Sequence, residues 1–184
     1  MKFGEEGLAG FESLPEPRFE LLFKMSLEVE EPDQIGQTHV GNRRVIGVSG
    51  GVFEGPGLEG RVLPGDSDWI VVRRDGVLIQ DVRIVLQTDD DHNVLMSYRG
   101  MRYGPEAVIE RVDNGEDPDP SEYYFRTAPI FEAPDGEYAW LNKLLAFAVG
   151  RRLPTGVIYA VYAISWITAA QTTILSGHML TSRV

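Results

Sequence analysis

Eight side chains in this sequence have the types and spacing to bind and turn over a small carbonyl compound. Asp81 can serve as a base, while Arg83 and Arg126 can grip a carboxylate or phenolate through paired hydrogen bonds. Trp69, Tyr98, Tyr124 and Trp140 offer ring faces, and Asn142 can orient a carbonyl. With Tyr98 beside Asp81, Arg83 and Arg126 as the reacting set, the chemistry is proton transfer next to a carbonyl, an isomerisation or a cyclisation. Such steps need a dry pocket, a positioned acid or base and an oxyanion partner. The expected partner is a small hydrophobic or aromatic molecule, and no cofactor is expected. Blander readings stand beside these. Asp81 with Arg83 also suits a buried ion pair bracing a fold, and Trp140 also suits core packing.

The stretch Val77–Tyr103 has to position several of these groups. VLIQDVRIVLQT, then DDDH, then NVLMSYRGMRY reads as two strands around a polar turn, since β-branched residues suit a pleated surface and Asp favours turns. With Asp90 and Asp91 at the tip, Arg83 faces Tyr98 and Asp81 faces Gly100. One face then carries Asp81, Arg83, Gln87, Tyr98 and Arg102. The other carries Val82, Ile84, Leu86, Leu95 and Met101, with the polar Gln80 and Arg99 among them. A slip of one residue at the turn changes the pairing but not the parity within either strand. A sheet of this kind is either a core face backed by solvent or a barrel wall with a polar lumen.

Taken in order, residues 1–17 read as a loose arm, 18–164 as one domain, and 165–184 as a tail. Arg18–Glu30 suits a long first strand, with a helix as the alternative, and Glu31–Asn42 reads as a connection. Glycine is dense from Gly47 to Gly65, which suits strands that bend or approach another backbone at the corners of a small barrel. Strands are predicted near 44–54, 58–63 and 67–74, with Asp75-Gly76 as a hairpin turn. Pro105, Glu106 and Gly115 bracket one short helix. YYFRTAPIFEA, interrupted near Pro129, then DGEYAWLNKLLAFAVG and GVIYAVYAI supply the last strands. Tyr124 shares a strand face with Arg126, and Trp140 with Asn142, so parity permits convergence. The total is eight or nine strands and one helix, which argues an antiparallel barrel or sandwich.

Composition excludes several classes. The chain has 184 residues, no cysteine and a formal charge of −11, so disulfides and thiolate chemistry are out and nucleic acid is not an expected partner. The start, MKFGEEGLAGFESLPEP, lacks the apolar run of a secretory signal, and a cytoplasmic location is expected. From Leu153 to Ser182 there is no Asp, Glu, Lys or Arg, a span long enough for a membrane helix; its Ser, Thr, Gln and Gly content and its VIYAVYAI run favour a strand plus a tail. Asp89-Asp90-Asp91-His92 lacks the later Glu of a calcium loop, and His39, His92 and His178 show no ligand spacing, so no metal is assigned. The Gly-rich run near Gly50 lacks the Lys and Ser or Thr of a phosphate loop, and no Ser-containing nucleophile elbow occurs.

Five motifs in order, GGVFEGPGLEGRVLPGDSDW, TDD, YRGMRYG, DPSEYYFRTAPIFE and YAWLN, together resemble the bacterial and fungal family known as domain of unknown function 3237. The resemblance spans roughly Phe19–Ile164 and implies an antiparallel β-barrel of about eight strands, similar in outline to allene oxide cyclase and lipocalin-like barrels. It implies no particular reaction. A barrel of that size holds one small ligand. The expected function is therefore a cofactor-independent isomerase, cyclase or lyase acting on a lumen-bound carbonyl compound. The alternatives are a non-catalytic carrier of the lipocalin sort and a structural module that forms a homo-oligomer.

Overall fold

The computed structural model describes residues 14–165. Ten strands form one sheet: β1 (Arg18–Val29), β2 (Asp33–Thr38), β3 (Gly41–Glu54), β4 (Glu59–Val62), β5 (Asp66–Val72), β6 (Leu78–Thr88), β7 (Asn93–Tyr103), β8 (Tyr124–Glu132), β9 (Leu145–Leu153) and β10 (Gly156–Ser165). All pairings are antiparallel, and β1 pairs with both β10 and β3, which closes the sheet into a barrel. β4 and β5 together fill one place in the wall, since β4 covers the far half and β5 the near half of the gap between β3 and β6. Eight wall positions result, as the strand count in the sequence suggests.

The glycine-rich middle of the chain is where backbones come together. A Cβ on Gly51 would lie 2.2 Å from the Ser26 carbonyl oxygen, and one on Gly60 would lie 2.1 Å from that of Gln87. Both glycines also hold a positive φ, near +155°. Any side chain would therefore push β3 off β1, or β4 off β6.

Alternation divides the lumen along its length. At one end Phe23, Phe53 and Phe131 pack with Ile84, Leu86 and Met96, all buried, in a filled core. At the other end the inward positions become larger, more polar and less closely packed, and a cavity opens. The helix α1 (Glu106–Asp113) lies beside that end and contributes Val112 and Asp113 to the lining.

Three features depart from the sequence reading. The segment expected to be a connection contains β2, paired to the start of β3. Trp140 and Asn142 are not on a strand: Ala139–Lys143 is a 3₁₀ turn, whose Leu141 is fully buried against the filled core. β8 runs unbroken through Pro129, although its ladder to β9 ends at Thr127↔Ala148, before the proline whose nitrogen has no proton to donate. The expected apolar strand near the C-terminus is β10, which turns back from β9 through Pro154-Thr155. No helix among the described residues is long and apolar enough to cross a membrane. The tail after Ser165, including the rest of the uncharged span, lies outside the described residues, as does most of the N-terminal arm.

Candidate functional site

The turn between β6 and β7 decides which side chains enter the lumen. Thr88 and His92 close it: the Thr88 amide donates to the His92 carbonyl at 2.9 Å, leaving Asp89, Asp90 and Asp91 as the loop, with Asp91 at φ 65°. A three-residue loop ending in a left-handed residue is a common hairpin closure. It sets Val82 opposite Tyr98 and Asp81 opposite Arg99, one step from the pairing that a two-residue tip imposes. Parity within each strand stands as expected, but the two strands are mismatched by one. Tyr98 and Arg102 therefore share the inner face with Gln80, Val82, Ile84 and Leu86, while Asp81 and Arg83 turn outward.

Corrections follow for the side chains expected to converge. Asp81 is half-exposed and meets Arg99 at 3.2 Å and Arg83 at 4.0 Å on the outside of the barrel, so it is neither in the lumen nor in a buried ion pair. Tyr124 and Arg126 do share a face, but it is the outer one, where Tyr124 stacks on Tyr103 at 4.9 Å and the Arg126 guanidinium lies over its ring. Trp69 is exposed on the outer face of β5. Trp140 packs half-buried against the filled core, and Asn142 ties the chain to itself by donating to the Ala133 carbonyl (2.9 Å) and accepting from its amide (2.7 Å). Of the expected set only Tyr98 lines the cavity.

That cavity has a volume of about 360 Å³. Polar side chains line it from six wall positions: Arg44 on β3, Asp68 on β5, Gln80 on β6, Tyr98 and Arg102 on β7, Arg152 on β9 and Tyr159 on β10. Asp68 is the centre of the group. Gln80 Nε2 donates to its Oδ2 at 2.7 Å, and the Asp81 amide donates to Oδ1 at 3.3 Å. Burial pushes the carboxyl up to about 6, against the pull of Gln80, the Asp81 amide and the Arg44 charge. Gly100, opposite Gln80, leaves the amide its room, because a Cβ there would lie 2.9 Å from Gln80 Oε1.

The same cavity is lined by two phenols and three guanidinium groups, of which Arg44 acts on Asp68 through its charge. Tyr98 and Tyr159 pack edge to face at 5.7 Å, and burial pushes both phenols up, so that they stay protonated and can donate. Arg102 gives Nη2 to Asp113 Oδ1 at 2.6 Å, which fastens α1 to the mouth. Arg152 gives Nη1 to the Gly156 carbonyl at 2.5 Å, and its affinity for its proton is pulled down by burial first and then by the nearby Arg102 and Arg44 charges. The Nε atoms of Arg44 and Arg102 and the Oε1 of Gln80 are buried and make no hydrogen bond among the described residues. A carboxyl poised near neutrality can exchange a proton, and the guanidinium Nε–H groups and phenols that line the same cavity can stabilise a developing oxyanion.

The sequence reading missed Asp68, Arg44, Arg152 and Tyr159, and it placed Gln80 and Arg102 without a role. One signal lay in Gln80, a polar residue on the apolar face of Val82, Ile84 and Leu86. The same signal lies in D-S-D-W-I-V, where Asp68 shares parity with the buried Ile70.

At the far end of the barrel the acidic turn carries a second network. Asp90 accepts from the Thr88 hydroxyl (2.5 Å), from His92 Nδ1 (3.0 Å) and from the Tyr138 hydroxyl (3.1 Å). The Thr88 bond foremost holds the Asp90 carboxyl below its usual range, while burial and then the Asp90 bond push Tyr138 up to about 12. These contacts fasten the hairpin tip to the 3₁₀ turn. Among the described residues no group of three or more His, Cys, Asp or Glu is arranged to hold a metal ion.

Comparison with known proteins gives a consistent picture. Residues 17–164 match the family described as "Protein of unknown function (DUF3237)". A UPF0311 protein of Clostridium acetobutylicum is 35% identical over 154 residues, covering 83% of this chain and 98% of its own. The crystal structure of a conserved protein of unknown function from Rhodopseudomonas palustris superposes with a TM-score of 0.77 at 28% identity, over 83% of this chain and 99% of that one. A beta-barrel like protein from Acinetobacter baumannii superposes at 0.73 with 34% identity, over 83% and 98%. The barrel is also similar to that of an enzyme from Penicillium herquei, at a TM-score of 0.62 and 21% identity over 83% and 96%, a likeness of fold alone.

Proposed function

The chain belongs to the DUF3237 family, and from that premise we propose that the open end of its barrel binds a small apolar or aromatic carbonyl compound and moves a proton on it, as a cofactor-independent isomerase, cyclase or lyase. The observation that carries this reading is Asp68, a carboxyl held at about 6 within a cavity of about 360 Å³ that Arg44, Arg102 and Arg152 also line, with the Arg44 charge acting on it. As carboxylate it takes a proton from the carbon next to the carbonyl. The C–H electron pair becomes the enolate, and the charge gathering on oxygen is met by the Nε–H of Arg44 or Arg102 and by a tyrosine hydroxyl. Return of the proton to a different atom completes an isomerisation. Gln80 fixes the carboxyl, so the lone pair that does the work keeps one direction.

The test is solvent exchange. The full chain is incubated in D₂O near neutrality with a panel of aryl ketones, and loss of the proton next to the carbonyl is followed by NMR. Wild type is expected to speed exchange, and Asp68→Asn to lower the gain by about 10²- to 10⁴-fold with binding kept. Exchange undiminished in that variant removes Asp68 as the base. Binding without exchange by wild type favours the second reading, a carrier, for which the largely aliphatic cavity wall of Leu27, Val48, Ile70 and Val82 also speaks.

A further inference from the structure

We infer that the molecule this cavity takes is an organic anion, an aromatic or aliphatic body bearing a carboxylate or phenolate, with its charged end among Arg44, Arg102 and Arg152. The inference rests on the lumen being the working site, and it names the class of compound.

Three guanidinium groups from β3, β7 and β9 line a single cavity in a chain whose net charge is −11. Three carboxylates, Asp68, Asp113 and Glu31, line the same cavity, but among the described residues only Asp113 takes a hydrogen bond from one of the three guanidinium groups. Asp68 is engaged by Gln80 and by the Asp81 amide. Asp113 is half-exposed and takes one nitrogen of Arg102, and Glu31 sits exposed at the rim. The Nε–H groups of Arg44 and Arg102 are buried without a hydrogen bond among the described residues, although Arg102 is only 6% exposed. Crowded cations with sheltered, unengaged donors are stabilised by an incoming anion and by little else of comparable strength. A planar carboxylate matches the Nε edge of a guanidinium, and two such edges come from different strands. Between and beside the arginines the lining of Leu27, Ile70, Val82, Phe125 and Val157 is apolar and accommodates the body of the molecule. A neutral carbonyl compound would use only part of this arrangement.

The experiment compares 2-naphthoate with 2-naphthamide, two molecules of one shape that differ in charge, by calorimetric titration of the full chain. Naphthoate is expected to bind about tenfold or more tighter than the amide, since a desolvated charge pair contributes far more than a neutral contact. Arg44→Met and Arg152→Met should each weaken naphthoate by about tenfold and leave the amide within about twofold. Thermal melts accompany the titrations. Should Arg44→Met fold poorly, Arg152→Met, at the less buried strand end, carries the comparison. Equal affinity for the two compounds overturns the anion inference and leaves the lumen as a binding site. Failure of both to bind overturns the inference together with the reading on which it rests.

Discussion

A carboxyl buried against its own preference works against the fold that holds it. Asp68 titrates near 6 in the folded chain against an ordinary 3.8, which corresponds to roughly 3 kcal/mol of opposition to folding once the group is ionised. Between these two values the folded chain binds more protons than the unfolded one, so this contribution to stability falls as pH rises from about 4 to 6. Above 6 the whole cost is present. Asp68→Asn removes the charge and keeps an oxygen for Gln80, so it should raise the melting temperature at pH 8 and leave it nearly unchanged at pH 4. An equal change at both values would mean that a hydrogen bond, not the charge, had been altered. This residue was legible only in part from the sequence. Tyr98 stands where an inward-facing strand position puts it, whereas Asp81 has the chemistry of a base and an Arg two positions on but faces outward. In the fold that spacing places Asp81 and Arg83 side by side on the outer surface.

At the scale of elements, alternation made most strands and the helix readable, because a half-buried strand repeats every two residues and α1 carries Pro and Gly at its ends. The register of the central hairpin was not readable, because it depends on the conformation of Asp91, and Asp-Asp-Asp allows both an even and an odd loop. The 3₁₀ turn was hidden for a similar reason. Y-A-W-L-N is apolar enough for a strand, and what bends it is contact with distant groups, Tyr138 with Asp90 and Asn142 with Ala133. The left-handed residue supplies a direct test. Asp91→Gly should stabilise the protein by about 0.5–1 kcal/mol, since glycine takes φ 65° without the Cβ clash. Urea unfolding would show a higher midpoint at constant slope. Loss of stability would mean that the Asp91 side chain supports the loop in a way that the backbone angle does not reveal.

For the whole molecule, charge and location oppose each other: the chain is −11 in sum, while the open end of its lumen gathers arginines. An anion approaching from a distance meets a repulsive field before it meets the three guanidinium groups. Salt screens the distant field strongly, because the Debye length falls to about 8 Å at physiological ionic strength, and it screens the sheltered pairs much less. The association rate of naphthoate should therefore rise with salt, by about two- to threefold between 20 and 200 mM, with little change in the dissociation rate. A site of exposed lysines and arginines on a basic protein behaves the other way. Stopped-flow fluorescence at several salt concentrations separates the two rates. An association rate that falls with salt would show that the arginines dominate the field out to the mouth, and that the acidic exterior has no part in selecting what enters.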